Sequence, residues 1–281
     1  MKTYKFIIAF LFLASLVSCQ DFFDTSIELD IPAHESKLAI TTFISNTDAA
    51  DKVLVSYSIG GLEEAEGNQL INDATITITN GTVVETFSIT SEDGIYELDN
   101  PLTFTPNTDY TLAVDAAGYP SVSATQKYPK TTEIIAASVA DGTVKVTFKD
   151  LPDQNDYYYL KAEYFKYGVW NTLSIQSFGS TSERAELLDH AIIFNDAFFN
   201  GDEYEITATH NTSISDTDTD FRVKLYHLTE DFYRYDRSRN LARQTDNENP
   251  FVEPVILHRN IENGYGIFAM MNETVFTFEM E

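Results

Sequence analysis

Cys19 is the only thiol in the chain, and it stands in Leu16-Val17-Ser18-Cys19, directly behind a short apolar run. A thiol can attack as a nucleophile, ligate a soft metal, pair in a disulfide or carry a lipid. With one cysteine no internal disulfide forms, so an exported chain must be held by packing. The five histidines, His34, His190, His210, His227 and His258, are scattered. None forms a His-Glu-x-x-His pair, which disfavours a zinc hydrolase. Asp216-x-Asp218-x-Asp220 opens like a calcium loop, but an EF-hand needs Gly at its sixth position and Glu at its twelfth. This chain has Phe221 and His227 there. A solvated acidic loop is the favoured reading of residues 216–220, with a calcium site of other geometry as the alternative. There is no Gly-x-Ser-x-Gly elbow, no recognisable Ser-His-Asp setting and no phosphate-cradling glycine loop. Among 44 acidic residues, carboxylate pairs arise by chance and do not argue for glycosidase chemistry. The expectation is a non-enzymatic protein with no cofactor and no assigned metal site.

Two further groups could recognise a partner. Residues 222–243 hold Arg222, Lys224, Arg234, Arg237, Arg239 and Arg243 against Glu230, Asp231 and Asp236, a local reversal in an acidic chain. One reading is a surface helix whose basic end complements its dipole. The functional reading is a face that docks an acidic partner through Arg234, Arg237, Arg239 and Arg243. Aromatics gather at Tyr157-Tyr158-Tyr159, Tyr164-Phe165, Tyr167, Trp170 and Phe198-Phe199, where core packing competes with stacking on sugars.

The elements that must carry these residues begin with Met1 to Cys19. Lys2 and Lys5 precede the apolar Phe6 to Leu16, which as a helix reaches only about 16 Å at 1.5 Å per residue. A membrane span needs about 20 residues. A basic head and a short apolar run describe a secretory signal. Leu16-Val17-Ser18-Cys19 resembles a bacterial lipobox, which implies that Cys19 is lipidated and tethers the chain to a membrane. Two or three acyl chains hold a protein where one holds it only marginally.

The formal charge is −26, and loss of Lys2 and Lys5 with the signal would make it more negative. That repels nucleic acid and anionic membrane surfaces. The 43% apolar content, with 20 Phe and 16 Tyr, describes a globular chain. Behind the signal (1–19), residues 20–36 read as a tether, within which Pro32 breaks any regular element. Residues 37–130 read as an N-terminal β-sandwich. Its strands include Lys37 to Ile44, Lys52 to Ile59 and the strictly alternating Ala74 to Thr79, followed by an Asn80-Gly81 hairpin turn. Residues 131–281 read as a C-terminal β-rich domain with an Asp141-Gly142 turn and one helix near 230–244. Thr229 is the expected N-cap, with Glu230 and Asp231 in the first turn. The fold class is mainly β: two immunoglobulin-like β-sandwich modules with one short helical segment in the second.

Several segments, in order, resemble the Bacteroidota lipoproteins called domain-of-unknown-function family 4249. They are the lipobox at Cys19, His34-Glu-Ser-Lys-Leu-Ala-Ile40, Asn72-Asp-Ala-Thr-Ile-Thr-Ile78, Gly94-Ile-Tyr96, Tyr110-Thr-Leu112 with Gly118-Tyr119, and Tyr157-Tyr158. The most specific are Asn249-Pro-Phe-Val-Glu-Pro254 and Asn260-Ile-Glu-Asn-Gly-Tyr-Gly-Ile-Phe268. The resemblance implies a lipid-anchored outer-membrane protein, on the periplasmic or the cell-surface face, that assists a TonB-dependent transporter or captures its cargo. A structural or adhesive surface lipoprotein is the alternative. The family brings no catalytic residues to carry over.

Overall fold

Period-two alternation decides most of what this chain becomes. Ile76 and Ile78 are buried while Thr75 is exposed, and Val144, Val146 and Phe148 are fully buried with Lys145 and Lys149 outside. The computed structural model describes residues 33–47, 51–61, 63, 67–152, 154–176, 182–185, 187, 190–214, 220–245 and 255–279. Cys19 with the signal, most of the tether, Asp216 and Asp218, and Asn249 to Pro254 lie outside them. The chain divides after Glu35, and Ser36–Glu281 forms one compact unit.

That unit is mainly β, with one helix among the described residues. The first strands are β1 (Leu38–Ser45), β2 (Lys52–Tyr57), β3 (Thr75–Thr79), β4 (Val84–Ile89), β5 (Ile95–Leu98), β6 (Asp109–Asp115) and β7 (Val122–Lys127). Next come β8 (Glu133–Ala140), β9 (Thr143–Lys149), β10 (Tyr157–Lys166), β11 (Val169–Leu173), β12 (Ile175–Gln176), β13 (Ser182–Arg184), β14 (Ile192–Asn195), β15 (Glu203–His210) and β16 (Asp220–Leu228). Helix α1 (Glu230–Thr245) and the long strand β17 (Tyr265–Glu279) complete the order. A 13-stranded mixed sheet runs β13-β14-β10-β16-β17-β1-β2-β5-β4-β3-β6-β7, with β11 on β10. A four-stranded antiparallel sheet runs β12-β15-β9-β8, and the described strands close no barrel.

Three apolar clusters fill the unit. The first gathers β1 to β7 around Leu38, Ile40, Val53, Ile78 and Tyr110. The second lies between β8, β9 and β15 on one side and β10, β14 and β16 on the other. The third sits under α1. Through the first half of the chain, the first cluster draws on residues up to Tyr128 and the second starts at Ile134, with a junction near residue 130. β17 nevertheless serves both sides of it. Its first half pairs in parallel with β1, Ala39 opposite Tyr265 through Ser45 opposite Met271. Its second half pairs antiparallel with β16, Leu228 opposite Met271 through Asp220 opposite Glu279. Phe268 and Met270 enter the first cluster, and Ile267 and Ala269 enter the third. A fully buried side chain of this kind contributes about 1.5–3 kcal/mol. Being apolar on both faces, this stretch reads as a continuous run, not an alternation.

The two expected hairpin turns differ. Asp141 and Gly142 both have positive φ, 50° and 73°, and Ala140 pairs directly with Thr143, the two-residue turn that matches strand twist. At Asn80-Gly81 only the glycine has positive φ, and the loop spans four residues between Thr79 and its partner Val84. The Asn80 carboxamide oxygen accepts the Thr82 and Val83 amides, and this side-chain-capped turn replaces the tighter one.

Gly266 sets the closest backbone approach in the β1–β17 ladder. Its φ is +99°, and a Cβ there would lie 1.9 Å from the Ile40 carbonyl oxygen. Replacing Gly266 with Ala is therefore expected to lower unfolding stability by about 3 kcal/mol or more. Urea denaturation measures this, and a loss under about 1 kcal/mol would mean that the ladder tolerates a side chain there.

Candidate functional site

Helix α1 leaves β16 with almost no loop. The Thr229 amide donates to the Met270 carbonyl, and its hydroxyl oxygen accepts the Met270 amide at 3.3 Å. The expected N-cap hydroxyl thus ties the helix to β17. Phe232, Tyr233, Tyr235 and Asp236 form the buried face. Phe232 packs on Phe43 and Tyr159, with centroids 4.9 and 5.2 Å away, and Tyr233 packs on Tyr157 at 4.6 Å. Asp236 lies in this interior. It accepts the Tyr159 hydroxyl and, at 2.6 Å, the Leu187 amide. Burial pushes its carboxyl up to about 6 against those bonds and the Arg239 charge.

Asp231, in the first turn, ties the helix to two distant segments. One oxygen meets His258 Nε2 at 2.6 Å, and the other accepts Asn260 Nδ2 at 2.9 Å and Gln126 Nε2 of β7 at 2.5 Å. Burial alone would raise this carboxyl, but the His258, Asn260 and Gln126 hydrogen bonds outweigh it and hold it below its ordinary 3.8. Asn260 closes the turn by donating to the Phe268 carbonyl and accepting the Phe268 amide.

Between the outer face of α1 and residues 256–259 runs a groove of about 570 Å³, lined by Tyr233, Arg234, Arg237, Ser238, Ile256, Leu257, His258 and Arg259. A second hollow of about 800 Å³ continues past Arg237 to Leu241 and Gln244. Arg237 forks onto Glu183 at 2.9 and 3.3 Å and lies over the Tyr233 ring. Arg234 pairs with Glu230 at 2.5 Å, and Arg259 stacks over Tyr265. Ile256 is 87% exposed at the lip. Of the four arginines expected to meet a partner, Arg234 and Arg237 line the groove. Arg239 lies beside Asp236. Arg243 is exposed in the last turn, beyond the lining of either hollow. Arg222 and Lys224 belong to the sheet instead. Arg222 pairs with Glu163 and covers Trp170, and Lys224 sits between Glu163 and Glu273. Arg259 and His258 carry no sequence signal as groove residues, because only tertiary structure brings them beside α1.

A second constellation lies on the far rim of the second core. Asp150, Asp156 and Asp196 each place one carboxylate oxygen within 4.8 Å of the others, and all are at most 3% exposed. Two such charges 4.8 Å apart repel by roughly 3.5 kcal/mol at an effective dielectric near 20. Burial raises both Asp150 and Asp196, and the neighbouring carboxylates add to the rise. His227 lies between the Asp156 carboxylate, 2.8 Å from Nε2, and the Lys130 carbonyl, 2.9 Å from Nδ1. These two contacts fix the orientation of the ring.

A family model described as Domain of unknown function (DUF4249) matches residues 24–277. No curated protein matches the chain significantly.

The Asp231 junction carries a pH signature. Its depressed carboxyl contributes stability that is present above the ordinary value of 3.8 and lost as pH falls through the folded value. Asp231→Ala is expected to cost about 2–3 kcal/mol at pH 7 and clearly less at pH 3, read by urea unfolding at both. Equal losses at the two pH values would sink the assignment.

Proposed function

The chain belongs to the family described as Domain of unknown function (DUF4249), and from that premise we propose that it is a non-enzymatic, lipid-anchored accessory of a TonB-dependent transporter in an outer membrane. The observation that carries this reading is Leu16-Val17-Ser18-Cys19 behind a basic, short apolar leader. Lipidation of Cys19 confines the protein to the membrane plane and raises its effective concentration beside a barrel. The arginine-lined groove supports a docking role: it offers planar guanidinium groups beside exposed Ile256 and Leu257, a surface suited to an acidic loop with an apolar anchor. In this reading the first and second cores are two immunoglobulin-like sandwich modules joined through β17, a rigid base for the groove.

One observation favours a second reading, adhesion to a surface polymer. Tyr167, at the tip of the β10–β11 hairpin, is 92% exposed, and Phe198 is 78% exposed. Aromatic rings presented in this way suit stacking on sugars.

Three measurements test these readings, the first probing the anchor they share and the other two separating them. Cys19→Ala should move the protein from the detergent phase to the aqueous phase of a membrane extract while leaving its melting temperature unchanged. Arg234→Glu with Arg237→Glu should reduce the transporter recovered with tagged protein at least tenfold, with little change in stability because both pairs are exposed. Undiminished recovery with that double variant, or no transporter recovered with the wild type, would overturn the docking proposal. Loss of polymer binding in Tyr167→Ala would favour adhesion.

A further inference from the structure

We propose that Asp150, Asp156 and Asp196 form a calcium site on the rim of the second core. Asp150 and Asp156 bracket the loop between β9 and β10, and Asp196 begins the loop after β14. Neighbouring groups hold the Asp150 and Asp156 carboxylates in place. Asp150 accepts the Tyr158 hydroxyl at 2.5 Å on one oxygen and the Gly201 amide at 2.7 Å on the other. Asp156 uses one oxygen for Gln154 Nε2 at 2.5 Å and His227 Nε2 at 2.8 Å. The Asp196 amide donates to the Asp156 carbonyl at 3.1 Å and holds the two loops together.

The second oxygens of Asp156 and Asp196 point to a ligand. Both are buried and have no hydrogen-bond partner among the described residues. Their side chains are 1% and 3% exposed, so solvent does not satisfy them. A buried carboxylate oxygen without a donor is costly, and two beside a third acid more so. A divalent cation meets both needs at once, because it supplies positive charge and coordinates oxygen.

The donor set chooses the ion. Three carboxylates are hard oxygen ligands, and the one nearby imidazole has both ring nitrogens engaged with oxygen acceptors. That disfavours zinc. Oxygens around calcium, at 2.3–2.6 Å, lie at most roughly 5 Å apart, which accommodates carboxylates within 4.8 Å of one another. Magnesium needs a tighter octahedron at 2.0–2.1 Å, in which opposite oxygens lie only roughly 4.2 Å apart, so carboxylates spread over as much as 4.8 Å suit calcium better. Calcium would pin both loops to the end of the second core and neutralise the acids gathered there. His227 holds Asp156 as a positioning residue.

The purified full chain, stripped with EDTA, supplies the test. Calcium at about a hundred times its dissociation constant should raise the melting temperature by roughly 5–10 °C. Magnesium at equal concentration should do much less. Terbium should show tyrosine-sensitised emission, because the Tyr158 hydroxyl lies against Asp150, and calcium should quench it by displacement. Asp196→Asn should weaken calcium at least tenfold while leaving the melting temperature in EDTA equal or higher, since one repelling charge is gone. The proposal fails if calcium leaves the wild-type melting temperature unchanged, if magnesium matches it, or if Asp196→Asn responds as the wild type does. That last outcome would place the bound ion elsewhere. The wild-type titration decides the matter even if the variant does not fold.

Discussion

One strand holds this molecule together. β17 gives its first half to β1 and its second half to β16, so two separate cores depend on one ladder. The arrangement requires residues 265–271 to be apolar on both faces and to pass close to β1. Phe268, Met270, Ile267 and Ala269 meet the first demand. Gly266 meets the second, because its Cα faces the Ile40 carbonyl where a side chain would collide. The helix inherits its position from the same strand. Thr229 hydrogen-bonds Met270, and the Asn260 turn that feeds β17 also hydrogen-bonds Asp231. The groove is therefore placed by a strand that contributes no residue to its lining.

The molecule handles its acidity by local means. Glu163 is bracketed by Arg222 and Lys224 across the sheet, where losing both cations would leave a buried charge uncompensated. Asp231 is surrounded by donors and stays ionised, whereas burial pushes Asp236 up to about 6. Two carboxyls five residues apart on one helix thus respond to pH with opposite sign. Ionised Asp231 favours the folded state as pH rises past its folded value. Asp236 favours it below its unfolded value, and that contribution fades as pH climbs through about 6.

Local pattern made much of the fold readable. The alternation in Ala74 to Thr79 and in Thr143 to Phe148 became β3 and β9, and the helix expected near 230–244 forms over Glu230–Thr245. The segments from His34 to Phe268 that resemble family 4249 fall within the family match at residues 24–277. What local pattern does not carry is pairing. Nothing near Ala39 announces Tyr265 as its neighbour, and the parallel ladder is set by both cores together. The same holds for sites. The run of basic residues at 222–243 was visible, but only tertiary structure separates Arg234 and Arg237 in the groove from Arg222 and Lys224 on the sheet. Asp150, Asp156 and Asp196 carry no motif because two loops contribute them. Asn80-Gly81 was readable as a turn but not as a longer one, since the Asn80 side chain competes with the backbone for the same amides.

The β1–β17 ladder also has a temporal meaning. Its partners are separated by on the order of 200 residues, so the loop entropy of joining them must be met before the contacts give any return. Hairpins such as β6–β7 and β8–β9 can assemble early from neighbouring sequence. The first core, though built almost wholly from the first half of the chain, lacks Phe268 and Met270 until the far strand arrives. Folding should therefore finish with a slow docking event that completes two cores in one step, and until then the unpaired edge of β1 is the surface most in need of protection from other chains.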